Sequence, residues 1–280
     1  MLFDVHVHSH HSRGCALSPR DVVRRAREVG LDGVAFTDLN TLDGLEEIRA
    51  AGREEGLVAL CGVEVVTDRG HYLCFFPEPE KVPAPPQLFG SATPWPVREV
   101  LAKVRELGGV AIAAHPYDKS VERPSGDFIF TLDGLSAIEG LNARRKGPAN
   151  DLAMEAADHM SLPCTGASGA FGSLDEIGKA ATLFRDRVGS EADLVAQVKA
   201  GTVFCVAIGV TPGPPEGPGE RRERRDRDRR GDDRDRGGRG GDRDRGGRGG
   251  DRDRGGRGGD RDHRGPRRGG GGRGGGGRGR

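Results

Sequence analysis

The chain has 280 residues, with 44 Lys+Arg against 43 Asp+Glu and a formal net charge of +1. That balance hides two opposed parts. Residues 221–280 carry 23 arginines and 12 acidic residues, a net of +11, whereas residues 1–220 carry 21 basic and 31 acidic residues, a net of −10. The acidic part is long enough for one sizeable core. The basic part, which apart from His263 and Pro266 holds only Arg, Asp, Glu and Gly, has nothing apolar to bury.

Five scattered cysteines (Cys15, Cys61, Cys74, Cys164, Cys205) with no CxxC pair argue against a disulfide framework. No apolar run approaches the roughly 20 residues of a membrane span. No basic n-region precedes LFDVHV, so a cytoplasmic location without membrane contact is expected.

In chain order, LFDVHV reads as a strand. SPRDVVRRAREVG reads as a helix with Ser18 as N-cap, Pro19 at its first position and Gly30 ending it. GVAFT is a second strand, LDGLEEIRAAGREEG a second helix, and LVALCGVEVV and HYLCFF strands three and four. Seven prolines between Pro77 and Pro96 predict a long loop. VREVLAKVRELGG predicts an amphipathic helix and VAIAAH a buried strand, placed at about the sixth. SAIEGL is a strand, NDLAMEAADHM a helix, and SLDEIGKAA a helix opened by a Ser173/Glu176 capping box. EADLVAQVKAG is the last helix and TVFCVAIGV the last strand. Repeated βα units favour an α/β domain with a mainly parallel sheet, open or closed into a barrel.

In such sheets chemistry gathers at the carboxyl ends of strands. His6 and His8, Asp38, Glu64 and His115 all fall at predicted strand ends. His6 and His8 are two apart on a strand and share a face, so they could hold one divalent ion. Glu64 could bridge to a second, which His71 and His115 would complete. Asp4, by the same alternation, is expected on the face of His6 and could orient a ring. The competing reading is a polar strand end and satisfied core histidines. His10 and His11 fall in the following loop, where a solvated role is expected. Arg144, Arg145 and Lys146 follow a strand end and could clamp a phosphate; an exposed basic turn is the alternative.

The segment DVHVHSHHSRGCALSPRDVVRRAREVGLDGVAFTDLNTLDG resembles the opening of the polymerase and histidinol phosphatase (PHP) superfamily. The likeness continues through CGVEV, GHYL, VAIAAHPYD, AIEGLNARRKGPAND and TGASGAFGSLDEIGKAATLF, and so runs across residues 2–207. It implies a distorted (β/α)7 barrel over residues 1–210, with 165–207 as the PHP-associated C-terminal segment. It also implies metal-dependent hydrolysis of a phosphomonoester or phosphodiester, whether nucleotide, nucleic acid or small phosphate. The ligand set carried over is His6, His8, Glu64, His71 and His115 for one or two ions of Zn, Mn or Fe, with His6, His8, Glu64 and His115 as the catalytic group. Histidinol phosphate is a candidate substrate by family membership alone.

Departures from the family pattern stand at four positions. Leu39 replaces a liganding histidine in TDLNT, and Gly169 and Phe171 replace the aspartate and histidine of a late SDAH. Gly14 stands where an early loop ligand is usual. By resemblance, 14, 39 and 171 belong to one metal position, which looks deleted as a unit, while Gly169 removes a ligand from the ion held by His6 and His8. The consequence is weakened hydrolysis, or a degenerate domain that only binds metal or RNA.

TPGPPEGPG (211–219) reads as a linker. Beyond it DRDRGGRGG recurs at 233, 242 and 251. Residues 220–280 are expected to be disordered and resemble RGG-type segments that bind RNA through arginine. The expected partners are thus a phosphate-bearing substrate and RNA through residues 221–280. No aromatic residue is interleaved to stack on bases, and a solvated extension without a specific partner is the alternative.

Overall fold

The computed structural model describes residues 1–91, 93–145 and 148–208. The linker and the arginine-rich segment, with the disorder and RNA contacts expected of them, lie outside the described residues.

The elements run β1 (Leu2–Val7), α1 (Pro19–Glu28), β2 (Gly33–Leu39), α2 (Leu45–Glu55), β3 (Val58–Thr67), β4 (Gly70–Phe75), α3 (Pro85–Phe89), α4 (Val97–Glu106), β5 (Val110–Ala114), β6 (Ala137–Asn142), α5 (Ala149–His159), β7 (Cys164–Ala167), β8 (Ala180–Phe184), α6 (Glu191–Lys199) and β9 (Val203–Ala207). Local signals set most boundaries. Ser18 Oγ accepts the Asp21 amide at 3.1 Å and Pro19 opens α1, while Gly30 takes a left-handed φ of 81° just after it. In the proline-rich stretch, expected to be wholly loop, prolines at the first positions nucleate a 3-10 turn at Pro79–Lys81 and the short α3. The Ser173/Glu176 capping box forms, but it opens only a single 3-10 turn, Leu174–Glu176.

The nine strands make one sheet in the order β7-β6-β5-β4-β3-β2-β1-β8-β9. β7 returns toward β1 through a Val7–Ala170 bridge and a His8 N–H to Ala170 carbonyl bond of 2.9 Å, so the sheet is nearly closed. β8 lies antiparallel along β1, and β9, which follows α6, pairs antiparallel with β8. β1–β3 and β5–β7 pair in parallel, but β4 runs against both its neighbours because a tight turn at Thr67–Gly70 joins it to β3. That turn needs Gly70 at φ 96°. It removes one crossover helix and distorts the barrel. The strand ending at Ala114 is the fifth in chain order, not the sixth.

Three apolar clusters fill the fold. Phe3, Val5, Ala35, Leu60, Leu73, Phe75, Ile112, Ala137 and Ala167, from β1 to β7, pack together inside the barrel. Val7, Val34 and Phe36 meet α1 and α2 outside it, and Val63, Tyr72, Ala113 and Ile138 meet α4 and α5. Above the inner cluster the inward positions turn polar at Glu64, His71 and Glu139, with His71 two residues from Leu73 and Glu139 two residues from Ala137. The polar site therefore sits on an apolar plug.

Candidate metal centre

The strand β1 carries an irregularity that sets the site. Asp4 pairs with Val34 and Val7 with Phe36, so three steps in β1 face two in β2. This bulge turns two successive side chains, Val5 and His6, to the inside. Asp4 consequently faces away from the site, contrary to the simple alternation expected above. It accepts the Ser168 amide at 2.9 Å and the Gly178 amide at 3.4 Å and does not orient a histidine ring. Burial pushes its carboxyl up to about 6, against those hydrogen bonds.

The four histidines identified in the sequence, His6, His8, His71 and His115, come together around Glu64. One oxygen, Oε2, lies 3.3 Å from His6 Nε2 and 3.1 Å from His8 Nε2, and the two imidazole nitrogens are 3.3 Å apart. The other, Oε1, lies 2.8 Å from His71 Nδ1 and 3.2 Å from His115 Nε2. Since β4 is antiparallel, His71 at its start reaches the rim where the parallel strands end. All but His71 are buried, and its side chain is 21% exposed.

Outer partners fix two of the rings. His6 Nδ1 is 2.8 Å from Glu139 Oε1, and His8 Nδ1 is 3.0 Å from Ser12 Oγ, which donates to Asp38 at 2.6 Å. These bonds leave both Nε2 atoms aimed at Glu64. Asp38 thus acts behind the site: it also takes the Ser9 amide and hydroxyl at 2.7 Å each. His115 is held differently, by its backbone. Its N–H donates to Glu139 Oε2 at 2.8 Å, its φ is 31°, and its buried Nδ1 has no partner among the described residues.

Glu139 and Asn142 are functional neighbours that motif reading passed over. Glu139 is fully buried and binds His6, His115 and the Asn142 amide at 3.1 Å. The signal was present: a carboxylate inside the apolar strand AIEGLN is almost never buried without partners.

Charge at the site is strongly coupled. Burial would lower the His6 imidazole, but the Glu139 and Glu64 carboxylates overcome it and push it up to about 10. Burial would raise Glu64, yet His6 and the hydrogen bonds from His115, His6 and His71 hold it well below the usual carboxylate range. At His115 burial wins, and its imidazole is lowered.

The donor set fits a cation. Nitrogen and oxygen donors about 2.0–2.1 Å from a zinc-like ion stand about 2.9–3.4 Å from one another. The His6–His8–Glu64 triangle has edges of 3.3, 3.3 and 3.1 Å. His6, Glu64 and His115 likewise form a buried group able to hold an ion.

The altered positions also have a local geometry. The Phe171 ring packs edge-on against His8 with centroids 5.1 Å apart, and a side chain at Gly14 would begin 3.9 Å from it. Gly169 sits at φ 66°, where a Cβ would come within 2.8 Å of the Asn142 side-chain amide. Leu39 pairs with Glu64, and its N–H donates to Ser12 Oγ at 2.9 Å.

Of the expected phosphate clamp, Arg144 donates to the Gly169 carbonyl at 3.2 Å and approaches Glu176 at 3.4 Å. Arg145 pairs with Asp118 at 2.9 Å, next to the His115 loop, and its buried Nε has no partner among the described residues. Lys146 lies outside the described residues. His10 and His11 stand apart from Glu64, both against Glu47.

The PHP domain model matches residues 4–121, and the PHP-associated model matches residues 147–203. The uncharacterized protein MJ1587 of Methanocaldococcus jannaschii is 32% identical over 165 residues, covering 55% of this chain and 90% of that protein. The chain belongs to the PHP family. A 5'-3' exoribonuclease of Haemophilus influenzae is 38% identical over 66 residues, 24% of each chain. A candidate metal-dependent phosphoesterase from Bifidobacterium adolescentis superposes with a TM-score of 0.53 at 21% identity, over 71% of this chain and 96% of that one. A two-domain protein of Bacteroides vulgatus, containing a predicted PHP-like metal-dependent phosphoesterase, gives 0.58 at 15% identity, over 74% and 64%. At such identities the likeness establishes the shared barrel. Among the described residues no helix is long and apolar enough to cross a membrane.

Proposed function

We propose that this PHP domain is a metal-dependent phosphoesterase acting on a phosphomonoester or phosphodiester. The observation that carries the reading is the division of Glu64, with His6 and His8 on one oxygen and His71 and His115 on the other. His6, His8 and Glu64 would hold one divalent ion (Zn, Mn or Fe), and Glu64, His71 and His115 a second. A divalent cation bound there supplies Lewis acidity toward a phosphoryl oxygen and lowers the pKa of water toward neutrality.

The chain's own residues supply position and charge. Glu139 and the Ser12–Asp38 pair keep the lone pairs of His6 and His8 turned inward. Arg145, whose Nε has no partner among the described residues and which lies beside the His115 loop, is the stronger candidate to orient a phosphate; Arg144 would add to the positive rim, and Lys146 follows them in sequence. Phe171 against His8 and Gly14 closes the space of the missing third ion with apolar bulk. The exoribonuclease among the relatives and the +11 charge of residues 221–280 favour oligoribonucleotides within the substrate panel. The unpaired thiols suit a reducing compartment such as the cytoplasm.

The test is turnover of phosphomonoesters, dinucleotides and oligoribonucleotides with added Mn or Zn. Activity is expected in the native chain and lost in a His6→Ala/His8→Ala variant. Fully metallated protein that turns over nothing in the panel overturns the assignment.

A second reading has its own support: Asn142 fills the space where an aspartate at 169 would project. On that reading the domain is degenerate and binds metal, or RNA through residues 221–280. Removing residues 217–280 would then abolish RNA retention. RNA affinity unchanged by the deletion argues against it.

A further inference from the structure

The loop after β1 brings a second group of donors to the surface, separate from those on Glu64. His10 Nε2 lies 3.0 Å and His11 Nε2 2.9 Å from the same oxygen, Oε2 of Glu47, and the two imidazole rings are 4.6 Å apart. The three donor atoms all lie within 4.8 Å of one another. We propose that His10, His11 and Glu47 form a solvent-facing site for a transition-metal ion, clamping the β1–α1 loop to α2.

The separations to Glu47 match the edges of a coordination shell about 2.1 Å in radius. Two imidazoles and one carboxylate select zinc, copper, nickel or cobalt over magnesium and calcium, which take oxygen donors. The donors are also preorganised. His10 N–H donates to the Leu17 carbonyl at 2.8 Å, and His11 N–H to Ser9 Oγ at 3.3 Å. Glu47 is fixed in the first turn of α2. Gly44, just before that helix, leaves the room: a Cβ there would stand 2.7 Å from the His11 ring. The side chains are 41%, 22% and 46% exposed, so the remaining coordination positions open to water. Ser9 and Ser12, in the same loop, bind Asp38 behind His8. An ion on the surface group would therefore stiffen the loop that supports the barrel site without sharing a ligand with it.

Equilibrium dialysis of the full chain against zinc tests this. A His10→Ala/His11→Ala variant should retain one zinc fewer per chain than the native protein, and Glu47→Gln should show the same deficit. Thermal unfolding in chelator should be unchanged by either variant, since the positions are superficial. Amide exchange of residues 9–17 should slow on adding zinc to the native chain and stay unchanged in Glu47→Gln. Equal zinc stoichiometry in native and double-variant chains overturns the assignment; if the double variant does not fold, the stoichiometry of Glu47→Gln decides. Zinc retained on Glu64 and its histidines is common to all these chains, so either site can fail without the other.

Discussion

The two sides of Glu64 are built to different standards. On Oε2, both rings are locked from behind, His6 by Glu139 and His8 by Ser12 and Asp38. On Oε1, His115 has an unpartnered buried Nδ1 and a left-handed φ, and His71 is partly open to solvent. Fixing an imidazole by its far nitrogen sets the orientation of its ring before any ion arrives, and such outer partners typically strengthen metal binding by about 10–100-fold. The Oε2 side should therefore fill first and hold its ion more tightly.

The largest effect should come from the residue both sides share. Glu64→Ala removes a donor from each proposed ion, so metal affinity should fall on both sides by more than the roughly 10–100-fold that follows loss of an outer partner, and dialysed protein should lose both ions. Elemental analysis after dialysis reads this directly. Retention of one tightly held ion would mean that the sides do not depend on a common carboxylate.

A pH experiment on metal-free protein separates the sides next. The folded-state pKa of His6 stands at about 10, against an ordinary 6.5, because Glu139 and Glu64 outweigh its burial. A raised imidazole stabilises the fold fully below 6.5, and the stabilisation is lost as pH rises through 10. In chelator, urea stability should accordingly fall between pH 7 and 9, with a slope approaching about 1.4 kcal/mol per pH unit from this group. With zinc bound in place of the Nε2 proton the slope should flatten. His115, whose imidazole is lowered by burial, contributes no such fall. Identical slopes with and without zinc would remove His6 from the ion's ligands.

Glu139→Gln should act on the locked side more than the open one. The amide cannot accept from both His6 Nδ1 and the His115 N–H as the carboxylate does, so affinity for the first ion should drop by about 10–100-fold. Competition with a chromophoric chelator measures it. If affinity for both ions is unchanged, the orientation argument fails.

This contrast also marks where sequence reading stopped. The His-x-His pair, Glu64, His71 and His115 were recognisable because motif spacing and strand ends bring such residues to one rim. The bulge in β1 was not. Nothing in LFDVHV announces an extra residue, so period-two alternation put Asp4 on the wrong face. Nor did HYLCFF reveal its direction, which depends on the four-residue turn ending at Gly70. β7 went unassigned because CTGA is short and only half apolar, and β8 because the helix read into SLDEIGKAA runs over its first two residues, Ala180 and Ala181. Glu139 was visible as an anomaly inside a buried strand, but its role needed two partners from distant strands.

The smallest effect on the tightly held ion is expected at His71, which tests whether the sides are separable at all. Its ring is the most exposed of the five donors and meets only the Oε1 oxygen. His71→Ala should weaken only the second ion, which loses one of its three donors, and leave the His6–His8–Glu64 triangle intact. A zinc titration should then show one unchanged tight phase and one displaced weak phase. Should the tight phase move as well, Glu64 must be held in place by His71 rather than by the buried pair. The carboxylate would then have no fixed orientation of its own, and the preorganised triangle would depend on the exposed edge of the site.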